Sequence, residues 1–216
     1  MRPAGRGLFV AFEGGDGTGK TTQCRLLVDA LRARGVAVVA TREPGGTALG
    51  DRVRDLLLHS GIDIGPMAEA LLFAAARAQH VTEVIAPALA RGETVVCDRF
   101  LGSSLVYQGI GLGLGMETVR AVNELATAGV LPDVTVVLDV PVEESLRRKH
   151  ADGELPDTVE SRGSRFHERV REGYRGLGSQ LPGRVAVLDG TGPVGEVHGR
   201  VCAIIDAALR GYGTDA

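Results

Sequence analysis

Residues 14–21 read Gly14-Gly15-Asp16-Gly17-Thr18-Gly19-Lys20-Thr21, and Thr22 follows. Glycines crowding around a lysine, with hydroxyls directly after it, have the residue types and spacing of the phosphate-binding pattern G-x-x-x-x-G-K-[ST]. Glycine lets the backbone curl until successive N–H groups point at phosphate oxygens, and the N-terminus of a following helix adds favourable partial charge. Lys20 is then placed to reach the outer phosphates of a nucleotide, and Thr21 to offer its hydroxyl to Mg²⁺. Both flanks agree, since an apolar stretch precedes the loop at 8–12 and "TTQCRLLVDALRARG" follows it with helical periodicity. The chain uses 22 arginines and 2 lysines, so Lys20 stands out as a slender point charge where planar forks are the rule.

Such loops serve GTPases, motor ATPases and small-molecule kinases, so the reaction is decided by what else meets them. In an open α/β sheet the ligand lies beyond the carboxyl ends of the strands. Glu13, Thr41-Arg42-Glu43, Asp98-Arg99 and Asp139 all fall there. Two arginines at strand ends point to a second phosphate, belonging to an acceptor. No N-K-x-D stretch for guanine follows the fourth apolar run, where "LDVPVEE" stands, which speaks against a GTPase.

These side chains need a scaffold. β-branched runs at 7–14, 36–41, 93–99, 133–140 and 184–190 alternate with helical patterns at about 19–34, 47–59, 66–91, 116–128, 142–150, 161–178 and 194–210. The alternation predicts a doubly wound, five-stranded parallel sheet flanked by helices, in one domain over 1–216. The polar stretch 149–163 is expected to be a mobile lid.

Length and 44% hydrophobic content suit a core on both faces of a sheet. A net charge of −3 disfavours non-specific nucleic-acid or anionic membrane binding. Cys24, Cys97 and Cys202 lack metal or disulfide spacing, and no stretch approaches a membrane span or signal peptide, so a cytoplasmic location is expected.

The segments "FVAFEGGDGTGKTTQ", "TREPGGTALGDRVRDLLL", "EALLFAAARAQHV", "VVCDRFLGSSLVYQG", "LPDVTVVLDV" and "RFHERVREGY" together resemble the bacterial thymidylate kinases over nearly the whole chain. The resemblance implies phosphoryl transfer from ATP with Mg²⁺ to dTMP, giving dTDP, in a homodimer. It implies that Arg42 and Arg99 clamp the acceptor phosphate and that Asp98, with Thr21, acts on Mg²⁺. Phe73 would stack on the base and Arg77, four residues on, would meet the base edge. Ser104, Tyr107 and Gln108 would line base and sugar, and Asp16 would approach the sugar 3′-OH. The turn 189–194 is the candidate adenine loop.

The pattern breaks in the lid. The resemblance implies an arginine, from the loop or from the lid, that neutralises transition-state charge; Gly17 and Thr18 leave it to the lid, yet Thr158 stands where the family ending "DRxE" has arginine. Arg147, Arg148, Lys149, Arg162 and Arg165 remain candidates, and Arg148 is assigned to the catalytic set. Two other readings follow: a kinase for another or modified pyrimidine monophosphate, or a nucleotide-binding regulatory protein with weak turnover.

Overall fold

The computed structural model describes residues 5–151 and 157–211. Five strands, β1 (Phe9–Glu13), β2 (Val38–Arg42), β3 (Thr94–Asp98), β4 (Val134–Asp139) and β5 (Arg184–Asp189), form a parallel sheet in the order β2-β3-β1-β4-β5. β1 occupies the centre and every residue of it is buried, whereas the edge strands β2 and β5 are partly exposed. Successive side chains along a strand point to opposite faces. Phe9, Ala11, Val95 and Cys97 therefore enter one core, and Val10, Phe12, Val96 and Leu138 enter the other.

The second core is closed by α1 (Lys20–Ala33) and, after all the other helices, by the last helix. The first core is closed by α2 (Ala48–His59), α3 (Pro66–His80), α4 (Ala86–Ala90), α5 (Leu101–Ser104), α6 (Met116–Thr127) and, after β4, by α8 (Ser164–Arg175). Between β4 and α8 stands α7 (Val142–Ala151), and the last helix is α9 (Val194–Gly211).

Two helical segments differ from the sequence expectation. The run 66–91 is interrupted by a π-helical turn at Val81–Ile85, because Pro87 has no N–H to donate to the carbonyl of Glu83 and the ladder widens ahead of it. Residues 101–111, rich in glycine and serine, are helical rather than irregular: α5 runs into a second π-helical turn at Leu105–Gly111. Long-range contacts outweigh the weak local propensity there. Glu13 accepts hydrogen bonds from the N–H groups of Phe100 (3.0 Å) and Ser103 (3.1 Å), capping the segment from a strand 90 residues away.

Of the expected lid, 152–156 lie outside the described residues. The residues after them fold into a turn in which Asp157 Oδ1 accepts from the N–H groups of Val159 and Glu160, each at 2.8 Å.

Candidate active site

The glycine-rich loop leaves β1 and turns directly into α1. Gly14 adopts φ 136°, and a Cβ there would stand 2.6 Å from the carbonyl oxygen of Leu138, so only glycine fits between loop and β4. Lys20, the first residue of α1, curls back and donates to the carbonyl of Gly15 at 2.5 Å. Burial, reinforced by the positive charge of Arg99, lowers the Lys20 ammonium to about 8 against the pull of Asp16, Asp98 and Glu13. Thr21 donates its hydroxyl to Asp98 Oδ2 at 2.6 Å, joining the start of α1 to the end of β3. Two hard oxygen donors at that spacing, beside the lysine, match what Mg²⁺ takes from a protein when phosphates and water complete its shell.

Beyond the loop a cleft is bordered by Gly17–Thr22, Arg148, Lys149 and the turn holding Gly190 and Gly192. Arg148 lies in it, donating to Glu144 Oε1 (2.9 Å) and to the carbonyl of Gly190 (3.2 Å). The expected adenine turn and Arg148 thus meet at one wall.

On the other side of β1 a cavity of about 90 Å³ is lined by Phe73, Ser104, Tyr107 and Gln108, together with Asp16 and Arg99. Arg99 adopts φ 71°, the left-handed region that costs a non-glycine residue of order 1–3 kcal/mol. The surroundings hold it there. Its guanidinium donates to the carbonyl of Gly14 (3.0 Å), to Ser103 Oγ and Tyr174 OH (3.2 Å each) and to Asp16 Oδ1, and it lies 5.3 Å from the centre of the Tyr107 ring. Burial pushes the Asp16 carboxyl up, but Arg99, Lys20 and the Tyr107 hydroxyl outweigh it and hold the group at about 2. Glu13, fully buried, also accepts from Ser103 Oγ at 2.7 Å and from Tyr174 OH at 3.3 Å. Burial raises its carboxyl despite these donors.

Arg42 ends β2 in register with Asp98; its side chain is exposed and, unlike the neighbouring Glu43 and Pro44, does not line this cavity. Arg54 of α2 lines the cavity and donates to the carbonyl of Pro44 at 3.2 Å. Its guanidinium is lowered by burial and then by the charges of Arg42 and Arg99, so three cations converge where an anion would relieve them. Sequence reading passed over Arg54; in "GDRVRDLLL" nothing local separates it from Arg52, and only the helix phase turns one of them to the cleft.

Arg77 is placed differently from the expectation. It does not line the cavity: it is 1% exposed, and all five N–H groups are directed into protein, toward Glu43, Ser104, Asn123 and the carbonyl of Phe100. It stands behind the pocket wall, bridging Ser104 to Glu43, which also meets His80 Nδ1 at 3.0 Å. A buried guanidinium is tolerated only with its donors satisfied, and this one is.

The cations near the lid are engaged by acids. Arg147 pairs with Glu144, Lys149 with Glu160 at 2.5 Å, and Arg162 with Glu69 at 2.5 Å. Arg171 of α8 pairs with Asp139 at the end of β4 at 2.7 Å. Arg165 is exposed. Thr158 donates its hydroxyl to the carbonyl of Leu58 at 3.1 Å and so docks the returning lid on α2. A third hollow of about 200 Å³ beneath α7 and α8 shares Asp16 with the cavity lined by Phe73 and Arg99, and Thr18 and Lys149 with the cleft at the loop, so the three hollows share walls.

The family model described as thymidylate kinase matches residues 12–201, a span that includes the loop, both clefts and α8. The chain belongs to the thymidylate kinase family. It is therefore a nucleoside monophosphate kinase whose reaction is phosphorylation of dTMP to dTDP. Thymidylate kinases of Synechococcus sp. (strain JA-2-3B'a(2-13)) and Caldanaerobacter subterraneus subsp. tengcongensis are 48% and 46% identical to it, over 94% and 95% of this chain and 96% and 98% of theirs. The crystal structure of thymidylate kinase from Ehrlichia chaffeensis superposes with a TM-score of 0.74 at 34% identity, covering 93% of this chain and 99% of that one. Membership of the thymidylate kinase family sets the GTPase reading aside. Among the described residues no helix is long and apolar enough to cross a membrane.

Proposed function

We propose that the two clefts divide the reaction between an ATP donor, held with Mg²⁺ by the loop, and dTMP, held by the arginine-lined cavity. The observation that carries this reading is the Thr21–Asp98 contact of 2.6 Å, which joins Thr21 at the donor cleft to the residue directly before Arg99, a lining residue of the other cavity. When bound, Mg²⁺ supplies charge neutralisation and orientation of the transferred phosphate. Thr21 and Asp98 are the residues that hold it.

The protein's own part is positioning and electrostatics, since phosphoryl transfer asks for little covalent chemistry. The acceptor phosphate is already an anion, so no side chain has to remove a proton. Arg42, Arg54 and Arg99 hold that phosphate, with Arg99 offering a planar fork suited to two parallel hydrogen bonds. Asp16 accepts from the sugar 3′-OH, and Tyr107, already bonded to Asp16, packs beside the sugar. Phe73 stacks on the base, Ser104 and Gln108 meet its edge, and Arg77 acts through Ser104. Lys20 follows the charge that develops on the outer phosphates, and Arg148, next to Lys149 at the donor cleft, supplies charge from the lid side. A coupled assay of ADP release, offering dTMP, dUMP, dCMP, dGMP and dAMP with Lys20→Ala as control, tests this: turnover centred on dTMP and lost in the control is the expected result, and background turnover with intact nucleotide binding favours the regulatory reading.

We also assign a two-fold assembly through α3 and α6, in keeping with Met67 and Leu71 on α3 and Leu125 on α6, which are 41%, 51% and 87% exposed. The three free cysteines accord with a reducing, cytoplasmic setting.

A further inference from the structure

The residues assigned above leave Glu69 unused, although it lies in the first turn of α3 against the acceptor pocket. It is 4% exposed, and its carboxylate has two partners. Gln108 Nε2 donates to Oε1 at 2.8 Å, and Arg162, from the end of the lid stretch, donates to Oε2 at 2.5 Å and to Oε1 at 3.3 Å. The Arg162 guanidinium is itself seated 5.2 Å from the centre of the Phe166 ring.

A carboxylate paired with a guanidinium can only accept hydrogen bonds. Its contact with Gln108 therefore fixes which end of that amide is which: the NH₂ must face Glu69 and the carbonyl oxygen must face away. Gln108 is 2% exposed and lines the acceptor cavity. Its Oε1 has no hydrogen-bond partner among the described residues, and it is not one of the atoms sealed from solvent, so it opens on the cavity. The pocket consequently shows the base an acceptor at this point.

We propose that Glu69, held by Arg162, is a specificity-determining positioning residue that turns Gln108 so as to select pyrimidines carrying a proton on ring N3. This rests on the acceptor cavity being the base site. Thymine and uracil present N3–H, a donor, to Oε1; cytosine presents a lone pair, and two acceptors then face each other in a site with little water to separate them. The 5-methyl group plays no part in this contact, so thymine and uracil are alike to it.

Glu69→Gln tests the idea with a near-isosteric change. Gln at 69 can donate, which lets the Gln108 amide turn round and offer its NH₂ to the pocket. The ratio of kcat/KM for dTMP over dCMP is expected to fall by about tenfold or more, while the ratio for dTMP over dUMP stays put. Arg162→Met, which leaves the carboxylate in place, is expected to lower activity without erasing the dTMP:dCMP ratio. Should Glu69→Gln not fold, Gln108→Met asks the same question by removing the oxygen, and the dTMP:dCMP ratio must fall in the same way. An unchanged dTMP:dCMP ratio overturns the inference, as does a parallel fall in both ratios, which is the mark of general packing damage. A wild type that ignores dTMP overturns the acceptor reading itself, and this inference with it.

Discussion

Arg99 and Asp16 face each other in a direct ion pair at the cavity that both line, and Tyr107 donates its hydroxyl to the second Asp16 oxygen at 2.7 Å. The Asp16 carboxyl, held at about 2 against an ordinary 3.8, contributes stability that is present above pH 3.8 and is lost as pH falls toward 2. The shift corresponds to about 2 kcal/mol. Asp16→Asn is expected to melt below the wild type at neutral pH, with the gap closing between about pH 4 and 2 in thermal melts. A gap that persists unchanged at pH 2 contradicts the assignment.

Lys20 gives a second pH signature, of opposite sense. At about 8 the ammonium of the free protein begins to lose its proton well before an ordinary lysine does. Binding of ATP needs the charged form, so above pH 8 it must take up a proton, and affinity is expected to fall by up to about tenfold per pH unit. Calorimetry in two buffers of different ionisation heat checks this: proton uptake near zero at pH 7 and approaching one at pH 9. Lys20→Arg, weaker overall, is expected to lose that dependence.

Arg54 is expected to act on the acceptor alone. Arg54→Ala removes one of three converging cations and the contact with Pro44, so the KM for dTMP is expected to rise by about tenfold while the KM for ATP stays within about twofold. Steady-state kinetics with each substrate varied in turn separates the two. A rise confined to ATP places Arg54 on the wrong side of β1.

Thr158 occupies the place where the family's lid ending carries arginine, and its hydroxyl is bonded to the carbonyl of Leu58. Removing that bond costs about 1 kcal/mol of lid docking. Thr158→Val is expected to raise the KM for dTMP several-fold through Asp157 and Val159, which line the acceptor cavity, with little change in melting temperature. Equal loss in kcat and no change in KM points instead to a chemical role for this turn.

The exposed Leu71 and Leu125 provide the test of assembly. Leu71→Glu combined with Leu125→Glu is expected to convert a dimer to a monomer in sedimentation velocity. A wild-type monomer removes the two-fold proposal.

What could be read from the sequence was what depends on neighbours along the chain. The loop 14–21 carries its own pattern, and β-branched runs announce the strands because period and composition are local properties. The segment 101–111 was not legible as helix, since its cap is the side chain of Glu13 on another strand. Arg54 was hidden for a similar reason: two arginines two residues apart look alike until the helix fixes their phase. Arg77 shows the converse. Its family role suggested a group presented to ligand, whereas Glu43, Asn123 and Phe100, from three separate parts of the chain, draw it inward.

Glu13 ties these observations to how the chain must mature. It belongs to the central strand, yet it anchors the start of α5 and, through Tyr174, the end of α8. A nascent or nicked chain that has not seated β1 lacks the nucleotide loop and, in the same stroke, the support for Arg99 and the acceptor wall. Half of the chemistry cannot be assembled ahead of the other half. The seating of this one strand is thus shared by the nucleotide loop and, through the Glu13 carboxylate, by α5 and α8, so a fault at β1 is expected to reach both walls of the site together.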